Sequence, residues 1–197
     1  MNKSYNFLLA GVGGQGTILA SDILAEVALA AGYDVKKSEV HGMAQRGGSV
    51  NTHIRWDAKE VHSPLIGLGE ADVLLVFEEA EALRYAEFLK PGGAAIVNRH
   101  AIKPITVTSG GASYPAEEEV RSVYAEVTDR FRLISGTAIA EELGNVRAAN
   151  VVLLGALSSL LDVPVETWLA VLEKRVPPKY VDLNRQAFRR GRQEMDS

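Results

Sequence analysis

The residues Gly11-Val12-Gly13-Gly14-Gln15-Gly16 place glycines in the spacing G-x-G-x-x-G. An apolar run from Tyr5 to Ala10 precedes them, and apolar residues recur afterwards at Ile18, Leu19, Ile23, Leu24, Val27 and Ala28 until Gly32 interrupts the pattern. The glycines therefore fall on a strand-to-helix turn, the context that gives this spacing physical meaning. Glycine lets the backbone come close to a ligand there, and the N–H groups at the helix start favour an anion such as a diphosphate. The candidate contacts are Gly11, Gly13, Gly14, Gln15, Gly16 and Thr17, the last also through its hydroxyl. The residues alone leave two rival readings open. A dinucleotide site would use Glu39, about 20 positions on, to grip a ribose, whereas a purely structural loop would use its glycines only to pack helix against strand.

A second loop follows the next strand. Ser38 to Val50 reads Ser-Glu-Val-His-Gly-Met-Ala-Gln-Arg-Gly-Gly-Ser-Val. Its Arg46 suits bidentate pairing with a phosphate or carboxylate, Gly47 and Gly48 permit close backbone approach, and His41 and Gln45 are candidates for closing a site. The alternative for His41 is that it satisfies buried backbone groups. In an open parallel sheet, ligands gather beyond the carboxyl ends of strands, so Glu78 and Asn98 fall near the same crevice; Glu78 equally suits the positive end of its own helix. His53, His62 and His100 lack metal-ligand spacing, and no metal site is expected. The arginines of the tail, Arg185, Arg189, Arg190 and Arg192, read as a solvated helix face, with contact to a partner or a phosphate as the alternative.

These residues need a scaffold, and the hydrophobic pattern describes one. Strands are expected at Tyr5–Ala10, Asp34–Val40, Val50–Trp56, Ala71–Phe77, Ala94–Asn98, Arg132–Ser135 and, more weakly, Ile105–Thr108. Helical spacing covers Glu78–Leu89, ended by Pro91-Gly92-Gly93, and Pro115–Val127. Beyond Thr137 the pattern is helical only, at Ala138–Leu143, Ala148–Leu161, Val165–Lys174 and Tyr180–Arg192. The βα alternation predicts an α/β fold with a doubly wound, mainly parallel sheet and a C-terminal helical extension. One domain over residues 1–197 is expected, with its α/β core in 5–136 and helices in 137–192.

Composition bounds the chemistry. The net charge of −4, with scattered basic residues, argues against nucleic acid as a partner. The longest apolar stretch, Ala148 to Leu161, is interrupted by Asn150, Ser158 and Ser159 and falls short of a membrane span. Met1 to Phe7 lacks the features of a signal peptide, so a cytoplasmic protein is expected. The chain has no cysteine, hence no disulfide, no thiol nucleophile and no usual ligands for an iron–sulfur cluster.

The two glycine loops together resemble the small, gamma-type subunit of 2-oxoacid:ferredoxin oxidoreductases. The element Arg46-Gly47-Gly48 is similar to one shared across that family, and His41-Gly42-Met43-Ala44-Gln45 is more similar to its indolepyruvate branch than to its pyruvate branch. Phe77-Glu78, Pro91-Gly92-Gly93 and Leu143-Gly144-Asn145 also look like family landmarks, over residues 5 to 190. The resemblance implies a Rossmann-like α/β/α subunit of a heteromeric enzyme. Such an enzyme oxidatively decarboxylates a 2-oxoacid to acyl-CoA and CO2, passing electrons to ferredoxin. Thiamine diphosphate, Mg2+ and the 4Fe–4S clusters would lie on a large partner subunit, with coenzyme A at the glycine loop, in a heterotetramer of two large and two small chains. The alternatives are an autonomous NAD(P)-binding oxidoreductase and a purely structural subunit without ligand contact.

Overall fold

The computed structural model describes residues 4–41 and 48–196. Six strands form one sheet: β1 (Tyr5–Val12), β2 (Asp34–His41), β3 (Ser49–Asp57), β4 (Ala71–Val76), β5 (Leu89–Asn98) and β6 (Phe131–Ile134), in the spatial order β2-β3-β1-β4-β5-β6. β3 runs antiparallel to both its neighbours, and β1, β4, β5 and β6 are mutually parallel. Only β3 is reversed, so the sheet is mainly parallel, as the βα alternation requires.

Alternate residues of the central strands feed two apolar cores. Phe7, Leu9, Val73, Leu75 and Ile96 face one way and meet α1 (Thr17–Ala30), α5 (Gly136–Glu142), α6 (Ala149–Ser158), α7 (Val165–Arg175) and α8 (Val181–Gln193). Leu8, Ala10, Leu74, Val76 and Val97 face the other way, onto Ala82 of α2 (Glu79–Tyr85) and Val120 and Tyr124 of α4 (Glu117–Ala125). Burial on both faces explains why β1 and β4 read as continuous apolar runs without alternation. The C-terminal helices form most of one outer layer, covering the sheet.

Helix ends follow the glycines. Gly32 is left-handed (φ +87°), and Tyr33 N–H donates to Ala28 while Gly32 N–H donates to Leu29, closing α1 in a Schellman motif. Gly144 (φ +91°) ends α5 in the same way, with Asn145 N–H donating to Ala140.

Three sequence expectations need correction. Ile105–Thr108 is a short helix, α3, not a strand. Its β-branched residues suggested extended backbone, but Pro104 stands at the N-cap, Thr108 and Ser109 N–H donate back to Pro104 and Ile105, and Ile105 is 84% exposed, so the run packs into neither apolar core. Pro91-Gly92-Gly93 does not precede a strand; it lies inside β5. The register jumps from Ala71↔Leu89 to Val73↔Ala94, and the three residues bulge out of the ladder, where proline's missing N–H costs nothing. The helix expected to reach Leu89 ends at Tyr85 and continues as one 3-10 turn, Ala86–Phe88, before β5 begins.

The tightest contact is between α6 and α8. A Cβ on Gly191 would lie 1.8 Å from the Val152 carbonyl oxygen, and one on Gly155 would lie 2.1 Å from that of Phe188. The two backbones touch through paired glycines, and neither position can gain a methyl group without driving the helices apart. Gly191→Ala is expected to lower stability by about 3 kcal/mol, read as a fall in the urea midpoint, whereas Arg189→Ala on the exposed face of α8 should change it little.

Candidate functional site

The site lies where β1 and β4 end side by side. From β1 the chain moves toward β2 and β3, and from β4 it moves the opposite way to β5 and β6, so the crevice is the topological switch point of the sheet. The glycine loop crosses this crevice between Val12 and Thr17.

Side chains and main chain fix the loop from three directions. Gln15 accepts from Val12 N–H through Oε1 (2.8 Å) and donates through Nε2 to the Phe77 carbonyl (2.8 Å). Gly13 N–H donates to the Gly48 carbonyl (2.9 Å), which ties the loop to the start of β3. Gly11 has no room for a side chain, since a Cβ would lie 2.8 Å from both Gln15 Oε1 and Thr17 Oγ1. Gly16 is left-handed (φ +80°), and a Cβ there would lie 2.6 Å from Asn150 Nδ2. Gly14 differs from both. It is left-handed (φ +105°), exposed, and open space surrounds its missing Cβ. It is the point where a ligand can reach the backbone.

The first turn of α1 adds donors. Its N-cap, Gly16, offers no side-chain acceptor, so the first N–H groups of the helix remain for an anion. Thr17 contributes through its main chain: its Oγ1 is buried, turns toward Gly11, and has no hydrogen-bond partner among the described residues. Cavities flank the loop on both sides. One of about 270 Å3 is mainly apolar, lined by Val12, Gly14, Thr17, Ile18 and Val50 among others. The other, of about 190 Å3, mixes apolar walls from Phe77, Val146 and Ala149 with polar groups of Gln15, Asn98, His100, Thr137 and Arg147.

The remaining candidates separate clearly. Asn98 is buried at the end of β5; it donates to the Phe77 carbonyl (3.2 Å) and Thr137 Oγ1 (2.9 Å), and accepts from Thr137 N–H (3.3 Å), so it braces the smaller cavity it lines. Glu78 is buried and caps α2, accepting from Glu81 N–H (2.9 Å), Ile102 N–H (2.9 Å) and the Tyr114 hydroxyl. Burial, then the neighbouring Glu78 carboxylate, raises the Tyr114 phenol far above its usual range. Glu39 sits on edge strand β2 with β3 between it and β1, and it pairs with Lys37 (2.5 Å). Two strand spacings, about 10 Å, separate it from the loop whose ribose it was a candidate to hold. His41 ends β2 opposite Val50; Gln45, Arg46 and Gly47 lie outside the described residues. Gly48 is present as the acceptor for Gly13. Thr137 and Arg147 carry no motif of their own, and His100 stood out in the sequence only as a histidine without metal-ligand spacing. The signal that could have found Arg147 is its position two residues beyond the Gly144-Asn145 turn.

Among the described residues no cluster of three His, Cys, Asp or Glu side chains could hold a metal, and no helix is long and apolar enough to cross a membrane. His53 lies in β3 and accepts from Ile66 N–H through Nδ1 (3.2 Å), and burial followed by the Arg55 charge lowers its pKa.

Residues 6–194 match the pyruvate ferredoxin/flavodoxin oxidoreductase family. The chain is 44% identical to indolepyruvate oxidoreductase subunit IorB of Pyrococcus horikoshii, over 96% of this chain and 95% of that protein. It is 42% identical to the subunit of the same name from Archaeoglobus fulgidus, over 94% and 92%. The gamma subunit of a keto/oxoacid ferredoxin oxidoreductase from Geobacter sulfurreducens superposes with a TM-score of 0.72 at 26% identity, over 97% of this chain and 98% of that one. The chain belongs to the pyruvate ferredoxin/flavodoxin oxidoreductase family. Within it, the chain is a small, gamma-type subunit of a 2-oxoacid:ferredoxin oxidoreductase, an enzyme with a larger catalytic partner.

Gln15→Leu removes the acceptor of Val12 N–H and one of the two donors to Phe77, and should cost about 1.5 kcal/mol, measured by urea denaturation. Gln15→Glu keeps the acceptor for Val12 N–H but sets a carboxylate oxygen against the Phe77 carbonyl, and should lose at least as much. For His53 the folded-state pKa is depressed, so the unfolded chain binds the proton more readily and stability falls as pH drops below the ordinary histidine value. The urea midpoint should therefore decline from pH ~7.5 to ~5.5, and His53→Gln should flatten that part of the profile.

Proposed function

We propose that this chain is the cluster-free subunit of an indolepyruvate-type enzyme. The assembly oxidatively decarboxylates an aryl 2-oxoacid to acyl-CoA and CO2, with electrons delivered to ferredoxin. The substrate class rests on the 44% and 42% identity to subunits named for indolepyruvate; a 2-oxoglutarate synthase subunit from Methanothermobacter marburgensis is 28% identical. Thiamine diphosphate, Mg2+ and the iron–sulfur clusters belong to the large subunit, because a chain without cysteine offers no thiolates for a cluster. The assembly is a heterotetramer of two large and two small chains.

This subunit's own part is to present its glycine loop to the diphosphate of coenzyme A. The observation that carries this reading is Gly14: an exposed, left-handed residue with open space above it, beside a helix start with no side-chain cap. The main-chain N–H groups of Gly14, Gly16 and Thr17 supply donors without a charged side chain, a recurrent way of holding a diphosphate. Bound there, coenzyme A supplies the thiol that takes the acyl group. Arg46, with Gly47 and Gly48, is assigned to a phosphate, and His41 and Gln45 to closing the site, on the sequence motif alone. The dinucleotide alternative loses support from the position of Glu39.

Co-expression with the large subunit tests the proposal. The small subunit alone should reduce no dye with indolepyruvate, and the complex should do so in a reaction dependent on coenzyme A. Gly14→Val, whose side chain fills the space above the loop, should raise KM for coenzyme A at least about tenfold in a complex that still assembles. An unchanged KM would leave the loop a packing element and the subunit a structural one.

A further inference from the structure

The bond from Gly13 N–H to the Gly48 carbonyl (2.9 Å) ties the glycine loop to β3, and it is made at a place where the chain has little to hold it. Gly47 and Gly48 are two successive residues without a side chain, so neither can fix the main chain by a contact of its own. Ser49 is the first residue after them that can. It pairs with Val12 across the β1–β3 ladder, and its hydroxyl reaches α2, where it donates to the Glu81 carboxylate.

The direction of each bond in this cluster follows from the protons present. Ser49 Oγ has one proton, which goes to Glu81 Oε2, so in its contact with the Tyr85 hydroxyl (3.0 Å) the phenol is the donor. Tyr85 in turn accepts from Asn51 Nδ2 (2.8 Å). A chain of donors thus runs from Asn51 through Tyr85 and Ser49 and ends on one carboxylate, each bond polarising the next. Glu81 is 5% exposed, and its other oxygen accepts from Nε of the exposed Arg84 (3.1 Å). A buried carboxylate met by one hydroxyl and one solvated cation is a costly way to fill space. Glu81 also stands three positions after the Glu78 cap, where a glutamate commonly turns back to the N–H of the cap residue. Its oxygens go to Ser49 and Arg84 instead, while its own N–H is held by Glu78 Oε2 (2.9 Å).

We infer that Ser49 and Glu81 are positioning residues for the glycine loop, acting on coenzyme A use through the Gly48 carbonyl without touching the ligand. The inference rests on the reading that the loop holds the diphosphate. The peptide unit between Gly48 and Ser49 is planar, so fixing Ser49 aims the Gly48 carbonyl at Gly13. Gly13 N–H is thereby committed to β3, and Gly14 is left as the open position. The start of α2 acts on the loop twice: Phe77, just ahead of its cap, accepts from Gln15 (2.8 Å), and Glu81, in its first turn, holds Ser49.

Hydrogen exchange and steady-state kinetics on the assembled enzyme test this together. Ser49→Ala and, as a second lesion of the same contact, Glu81→Leu should speed amide exchange in the peptide covering Val12 to Thr17 about tenfold. Both should raise KM for coenzyme A about fivefold with kcat nearly unchanged. Ser49→Thr, which keeps the hydroxyl, should restore both readouts. Gly191→Ala, which loosens the α6–α8 contact, should lower the urea midpoint and move neither. Unchanged exchange in Ser49→Ala and Glu81→Leu would overturn the inference whatever the KM. If exchange rises and KM holds while Gly14→Val raises KM, ligand binding does not depend on this contact; the inference fails and the loop reading stands. If Gly14→Val also leaves KM unchanged, the loop reading fails and takes the inference with it. A KM that rises in Gly191→Ala as much as in Ser49→Ala would show lost stability alone at work, and would likewise overturn it.

Discussion

A single carbonyl holds the crevice together. Phe77 O accepts from Gln15 Nε2 and Asn98 Nδ2, while Phe77 N–H donates to Ala10. Through it the ends of β1, β4 and β5 are locked in one geometry, and Asn98 passes the constraint to Thr137 at the start of α5. Two amide side chains can do this where carboxylates or amines could not, because each offers a donor and an acceptor on one rigid plane. Gln15 uses both ends to fold the loop back onto its own strand and onto the neighbouring one. The result is a loop whose one open position, Gly14, is held rigidly.

The reversed strand β3 gives this sheet its particular chemistry. By standing between β2 and β1 it moves the carboxylate of Glu39 away from the glycine loop, and with it the ordinary means of selecting a ribose. It also brings its own first residues to the loop, where Gly48 accepts from Gly13. The glycine loop therefore lies against the start of β3, where a dinucleotide-binding domain would have the end of a parallel strand with its acidic residue.

The subunit's remaining features suit a chain that works with a companion. It has no thiolate to hold a cluster, and no nucleophile–base pair is visible among the described residues of the crevice. What it has is a stiff framework. The α6–α8 glycine contact and the two Schellman ends set by Gly32 and Gly144 fix these helices against the sheet with little freedom.

The sequence by itself determined the glycine turn, the positions of most strands and helices, the end of α1 at Gly32 and the lack of cysteine. These are local matters, decided by spacing and by residue type within a few positions. It misread Ile105–Thr108, because β-branched residues favour a strand only where a sheet buries them and this segment is exposed, and it placed the break at Pro91 before β5 where the fold absorbs it as a bulge within β5. Tertiary structure alone decided that Glu39 lies far from the loop, that the Glu78 cap also holds Ile102 and Tyr114, that Thr17 hides its hydroxyl, and that Asn150 meets Gly16 across 134 positions of sequence. The reason is the same each time: strand order and helix packing set which distant residues become neighbours, and no local pattern carries that information.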